Sequence, residues 1–197
     1  MDHHDDDDDD DDDNVEVKMV RDNLQELREI PCLDGYHFVN FAPGDEDEWV
    51  ALYAAAEPFL TIDRALFDEK FRGDVKALCE RMIFMVHNNG NETRRRGGGD
   101  IIGTAVAWYD DKQHTTEWGR LHWVAIHPDF QGKGLSKPLV ATTLQRLVKL
   151  GHSKAYLITS TGRVAAIKLY LQFGFVPEPR NEMEQDAWGR FFEKHGN

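Results

Sequence analysis

The chain has 197 residues, long enough for one domain with a sizeable core and short for two. Its formal charge of -13 is concentrated: Asp2 and the run from Asp5 to Asp13 supply ten of the 36 acidic residues, leaving 26 acidic against 23 basic residues elsewhere. That balance gives no support for nucleic-acid binding, which usually shows as a basic stripe or patch, and no apolar run approaches the ~20 residues needed to cross a bilayer.

Residues 1–14 form a single-composition tail that cannot bury apolar surface and whose like charges repel, so disorder is expected there, with one domain over 15–197. An aspartate run without glycine turns lacks the geometry of a calcium loop. Cys32 and Cys79 show neither a CxxC spacing nor a disulfide framework and read as reduced thiols. The chain start has Asp where a signal peptide has a basic and then an apolar stretch, so a soluble cytoplasmic protein is expected.

In chain order, Tyr36–Phe41 alternates as a strand, and Pro43-Gly44-Asp45 marks a turn with an acidic helix start. The helix that follows carries Trp49, Leu52, Tyr53 and Ala56 at helical spacing and ends near Glu57-Pro58. A second short helix is predicted over 63–71. Met82–Val86 and Ile101–Trp108 are strands joined by a long connection holding Arg94-Arg95-Arg96 and Gly97-Gly98-Gly99, read as a solvated basic loop. A strand at Leu121–Ile126 passes through Gln131-Gly132-Lys133-Gly134 into a helix over 136–150, with Val140, Leu144, Leu147 and Val148 on one face. Pro138 is tolerated in that helix's first turn, where its missing N–H has no intrahelical partner. A strand at Ala155–Thr159 and a helix over 164–173 closed by Gly174 complete an alternation that favours parallel neighbours in a mixed sheet. The segment Asp186–Phe192 reads as a short amphipathic helix or strand, able to cover the sheet or to form a homodimer contact.

A strand ending in Gln131-Gly132-Lys133-Gly134 and running into a helix aims backbone N–H groups and a positive helix end at one point, which suits a phosphate ester. The glycines match neither the Walker pattern nor a full GxGxxG. Together, Val124-Ala125-Ile126-His127-Pro128 with Gln131-x-x-Gly134, and Ala166-Ile167-x-Leu169-Tyr170-x-x-x-Gly174-Phe175-Val176-Pro177, closely resemble the GNAT superfamily of acyl-CoA-dependent N-acyltransferases. The resemblance is specific over 101–177 and topological over 36–100.

The resemblance implies an α/β (α+β) fold: a mixed, largely antiparallel central sheet with a splayed parallel strand pair, flanked by helices. It implies acetyl-CoA as cosubstrate with no metal required, and the charge balance and the lack of a long apolar run give the expectation of no nucleic acid and no membrane as partner. Gln131, Gly132, Lys133, Gly134, Leu135 and Ser136 would then hold the pyrophosphate through backbone amides. Val124, Ala125 and Ile126 would line the pantetheine arm, the amides of Val124 and Ile126 bonding the arm and polarising the thioester carbonyl. Two positions depart from the family pattern: Ser136 stands where Gly or Ala is usual and can cap the helix or bond a phosphate oxygen, and Arg163 stands where many members have Asn.

Tyr170 matches the tyrosine that in many members protonates the departing thiolate; its alternative is a core tyrosine sharing a face with Ala166 and Phe173. An alkylamine of pKa about 10 must lose a proton before it attacks, so a base or water relay is needed. Strand alternation places His122 on the same face as Val124, and histidine titrates in the useful range, so it is the candidate base, against the alternative of packing under the helices. Glu117 is a second candidate, and His127 before Pro128 reads as shaping the turn. The resemblance puts the acceptor pocket on the first two helices and their connection: Trp49, Tyr53, Glu57, Phe59 and Asp63, an aromatic wall with carboxylates suited to a cationic amine, although aromatics at helical spacing also make plain core. The expected function is acetyl transfer from acetyl-CoA to a primary amine of a small molecule by direct attack. Its rivals are a non-catalytic acyl-CoA sensor or interaction module of the same fold and an acetyltransferase for protein or peptide amines.

Overall fold

Met82 to Val86 is apolar at every position, so its two faces can both be covered, and all five residues are buried. The computed structural model describes residues 14–58, 60–71, 73–89, 98–109 and 117–196. The aspartate run, Phe59 and Arg94-Arg95-Arg96 lie outside the described residues. The chain divides into two compact units, Asn23–Ala155 and Met1–Asp22 with Tyr156–Asn197.

In the larger unit, four strands form an antiparallel meander: β2 (Tyr36–Asn40), β3 (Met82–His87), β4 (Asp100–Tyr109) and β5 (Trp118–Ile126). Period-two alternation sorts their side chains. Met82 and Phe84 join Val106, Trp108 and Ala125 on one face, where α1 (Glu46–Ala56), α2 (Arg64–Phe71) and α3 (Val75–Arg81) add Trp49, Tyr53, Phe67, Phe71 and Leu78. Ile83 and Met85 point the other way, into a cluster with Ile102, Ala105, Ile126 and the Leu135 and Leu139 side chains at the start of α4 (Ser136–Lys149). The strand β6 (Lys154–Ser160) starts in the larger unit, beside the start of β5: the Ser153 and Lys154 amides both donate to the Glu117 carbonyl, at 3.0 Å each. Over the start that lies in the larger unit, β6 runs parallel to β5.

Local signals explain the helix starts. The first turn of α1 holds Glu46, Asp47 and Glu48, favourable at the positive end of a helix, while Asp45 Oδ2 accepts from the Ala42 amide at 2.9 Å. Asp63 Oδ1 accepts from Leu66 N at 2.8 Å and Asp74 Oδ1 from Ala77 N at 2.9 Å, standard caps for α2 and α3. The helix over 75–81 was not among the predicted elements, although Asp74 before an apolar turn is its start signal.

In the smaller unit, β1 (Glu16–Arg21) lies between β6 and β7 (Val176–Pro177), pairing antiparallel with β7 through Met19↔Pro177 and Val20↔Val176. The β1 strand was not predicted, because only Val17, Met19 and Val20 of its six residues are buried apolar side chains. The helix α5 (Val164–Gln172) ends where Gly174 takes φ +76, and the Arg21 guanidinium donates to the Phe173 carbonyl there. The C-terminal element is a full helix, α6 (Glu182–His195), longer than the short segment expected at 186–192. Asn181 caps it by accepting from Glu184 N at 2.9 Å. The Glu184 side chain is buried and bonded by Arg180.

Candidate active site

At the end of β5 the backbone ladder decides what the strand can offer a ligand. Thr104 pairs with Ala125 and the His127 amide donates to the Ile102 carbonyl at 2.8 Å, so the 102/127 and 104/125 pairs are the hydrogen-bonded ones. The amides of Val124 and Ile126 therefore point away from β4. The loop that follows is held by its own side chains: Gln131 Nε2 donates to the Ile126 carbonyl at 2.9 Å, and Lys133 Nζ donates to the Asp129 carbonyl at 2.9 Å while sitting over the Phe130 ring. Gly132 and Gly134 take φ +73 and +78 with open space around them, so glycine is needed there for conformation and not for room. The Leu135 side chain is buried in the core, and no side chain caps α4, Ser136 included. Backbone amides at the positive end of a fourteen-residue helix are what this loop presents.

Four residues earlier, β5 breaks its alternation. Thr104 pairs with Ala125 but Val106 pairs with His122, so β5 holds one residue more than β4 across this step. The extra residue shows at Trp123, whose φ of +48 is an outlier for a bulky side chain. The bulge overturns the expectation that His122 and Val124 share a face. Val124 packs with the α4-side cluster, whereas His122 pairs with Val106 and Trp123 packs with Trp49, both on the face covered by α1, α2 and α3. No sequence signal announces a tryptophan in left-handed backbone, which is why Trp123 escaped notice.

Trp123 completes an aromatic cluster. Its ring meets Trp49 at 5.1 Å, Tyr53 at 5.1 Å and His122 at 5.2 Å between centroids, and Trp49 and Tyr53 stand 4.5 Å apart. Trp49 and Tyr53 are buried, so the core reading of these α1 aromatics describes them, and they also form the floor under Trp123. Burial holds the His122 imidazole well below the usual histidine range, and the positive charges of Arg120 and Lys70 push in the same direction. His122 is thus neutral at physiological pH, the state in which a ring nitrogen can accept a proton.

The side chains of Glu117, Asp63 and His127 have partners of their own. Glu117 is half exposed at the start of β5 and pairs with Lys154 at 3.0 Å, ~16 Å along the strand from His122 at ~3.3 Å per residue. Asp63 caps α2, and the Glu57 amide closes α1 by donating to the Tyr53 carbonyl at 2.9 Å. His127 accepts from the Asp129 amide at 3.3 Å, shaping the turn as expected. Among the described residues no group of three or more His, Cys, Asp or Glu side chains is arranged to hold a metal.

In the smaller unit, Tyr170 on α5 is buried with its ring edge-on to Phe175, 6.1 Å between centroids. Burial pushes its hydroxyl up to about 12, against a smaller opposing pull from the Arg163 guanidinium. Arg163, the residue that departs from the family pattern, donates to Ser160 Oγ at 3.0 Å at the end of β6.

Residues 49–175, running from α1 to the end of α5 and through both units, match the model of the acetyltransferase (GNAT) family. The chain belongs to that family. A mycothiol acetyltransferase of Actinosynnema mirum is 25% identical over 163 residues, 81% of this chain and 51% of the relative. Among solved structures, a GCN5-related N-acetyltransferase from Sphaerobacter thermophilus covers 84% of this chain and 49% of its own at TM-score 0.67 and 18% identity. The NatC complex bound to Gag peptide and CoA covers 72% of this chain and 84% of its matched chain at TM-score 0.57 and 16% identity. The chain spans between about a fifth and a half of the length of the curated relatives it matches. Its mixed α/β fold with a mostly antiparallel sheet is the GNAT fold. No described helix of this GNAT chain is long and apolar enough to cross a membrane.

Proposed function

We propose that this GNAT domain transfers the acetyl group of acetyl-CoA to a primary amine of a small molecule by direct attack. The observation that carries this reading is the end of β5: amides of Val124 and Ile126 turned away from β4, followed by a glycine loop that opens an uncapped α4. A pyrophosphate suits the loop from Gln131 to Ser136, where the Leu135 and Ser136 amides and the glycine conformations do the binding and the Gln131 and Lys133 side chains brace the loop. Val124, Ala125 and Ile126 line the pantetheine arm, and the Val124 amide stabilises charge that develops on the acetyl oxygen.

When bound, acetyl-CoA supplies an acetyl carbon activated by a thiol leaving group. The amine nitrogen bonds to that carbon as the carbon–sulfur bond breaks, and the proton the amine gives up ends on the sulfur. His122, neutral at physiological pH, takes the amine's proton directly or through water. Tyr170 donates its hydroxyl proton towards the departing sulfur. Because that hydroxyl holds its proton up to about 12 and a thiol titrates near 8.5, full transfer runs uphill, so Tyr170 acts chiefly as a hydrogen-bond donor whose proton is replenished from the amine. Trp49, Tyr53 and Glu57 form the acceptor side, with Trp123 added to them.

A peptide amine is the second reading, favoured by the likeness to the NatC complex bound to a peptide and CoA. Thiol release from acetyl-CoA, measured across a panel of small amines and peptide N-termini, tests both. Release with small amines and not with peptides supports the first, the reverse supports the second, and measurable coenzyme A binding without release under any acceptor contradicts both in favour of an acyl-CoA sensor.

A further inference from the structure

Native proteins pair nearly all buried hydrogen-bond donors, so a buried donor without an acceptor asks for an explanation. On the α1 side of β5 there are two such donors in ring contact. The indole N–H groups of Trp49 and Trp123 are both buried, and neither has a hydrogen-bond acceptor among the described residues. Trp49 is fully buried, whereas Trp123, in ring contact with His122, is partly exposed as a residue although its Nε1 is buried, so of the two donors Trp123 belongs to the less buried residue. The bulge, with Trp123 at φ +48, is what brings His122 to the face that Trp123 already shares with Ala125.

An N–H donor calls for an acceptor atom, which an oxygen supplies and a hydrocarbon does not. The ring faces of Trp123 and Tyr53 favour a flat or apolar body next to that oxygen.

Resting on the acetyltransferase reading above, we propose that the acceptor is an α-amino acid or its amide, whose carboxyl or carboxamide oxygen takes a hydrogen bond from Trp123 Nε1–H while its amine lies next to His122. Trp49 Nε1–H, on the ring that meets Trp123 at 5.1 Å between centroids, is the second donor. Simple alkylamines and arylalkylamines leave both donors unanswered and are the poorer substrates.

The test uses the full chain saturated with coenzyme A or supplied with acetyl-CoA, and three probes of shared body: phenylalanine, phenylalaninamide and phenethylamine. Two readouts are taken. The first is the indole N–H proton resonance of Trp123, assigned with Trp123→Phe, which moves downfield when either oxygen-bearing probe is added and stays in place with phenethylamine. The second is the kcat/KM ratio of each oxygen-bearing probe over phenethylamine. One hydrogen bond lost makes that ratio about tenfold smaller in Trp123→Phe than in the unmodified chain. Comparing ratios between the two proteins cancels the different basicities of the three amines. If phenylalanine alone acts, the charged carboxylate is selected; if both act, any oxygen acceptor suffices.

A Trp123 resonance unmoved by all three probes, or a ratio unchanged in Trp123→Phe, overturns the proposal and leaves the two indoles as a ring-to-N–H packing pair. A moved resonance without thiol release from any probe keeps the donor site and defeats the acetyltransferase reading instead. The resonance is read on the unmodified chain, so the proposal stands or falls even where the variant does not fold.

Discussion

Replacing Tyr170 with Phe removes one oxygen and leaves the ring against Phe175, so it isolates the hydroxyl. Tyr170 is buried on α5, and the chain turn behind it rests on backbone bonds that the change does not touch: the Phe175 amide to the Tyr170 carbonyl at 3.1 Å and the Gly174 amide to the Leu171 carbonyl at 3.0 Å. Folding stability should therefore shift by no more than about 1 kcal/mol, read from urea denaturation. If the hydroxyl meets the departing sulfur, kcat falls about 10²- to 10⁴-fold, the usual worth of a positioned acid, equivalent to roughly 3–5 kcal/mol of barrier. Coenzyme A affinity by calorimetry stays within about threefold, since no binding role is assigned to the oxygen. The raised pKa adds a second check: with the proton held to about 12, Tyr170 contributes no loss of activity in alkaline buffer until well above the range of an ordinary tyrosine. A Tyr170→Phe chain that turns over within about threefold of the unmodified one refutes the acid role and returns Tyr170 to the core.

Four further outcomes follow from the same geometry. His122→Gln should lower kcat/KM about 10²-fold near neutral pH and recover as alkaline buffer deprotonates the amine itself, an outcome checked by a pH–rate profile. Because the folded pKa of His122 lies below its unfolded value of about 6.5, the unfolded chain binds the extra proton on acidification, so stability drops as pH falls below about 6.5 and His122→Gln flattens that part of the curve in thermal melts. Gly134→Val, forced to φ +78, should cost roughly 1–2 kcal/mol and weaken coenzyme A binding at least tenfold, whereas Gly134→Asn, which tolerates that conformation, retains most of the affinity by calorimetry. Trp123→Gly relieves about 1–2 kcal/mol of backbone strain but gives up roughly 3–5 kcal/mol of aromatic packing, leaving a net loss of about 1–4 kcal/mol in urea denaturation.

The parts of the fold legible in the sequence are those where period and caps agree. Met82–Val86 and Ile101–Trp108 lie inside β3 and β4, and the expected helix over 136–150 is α4 to within a residue. The elements that escaped are the ones sequence marks weakly: β1 with three buried apolar residues, the seven-residue α3, and the two-residue β7, each specified by what it packs on more than by its own pattern. The candidate site divides the same way. The loop Gln131–Ser136 was visible because glycine at positive φ leaves a chemical signature in the sequence. Which of its groups face a ligand was not, because the Gln131 and Lys133 side chains fold back onto the Ile126 and Asp129 carbonyls. The bulge at Trp123 left no trace either, and a single inserted residue moved His122 to the opposite face from Val124.

Transfer itself is tested most directly by following the acetyl group. Incubating the chain with acetyl-CoA labelled at the acetyl carbon and with α-amino-acid, simple-amine and peptide acceptors, then separating products by mass, shows where the label goes. Label in an N-acetylated amine, lost in Tyr170→Phe and His122→Gln, is the predicted result. Label that stays on coenzyme A or appears only as free acetate, with coenzyme A binding intact, contradicts acetyl transfer to an amine.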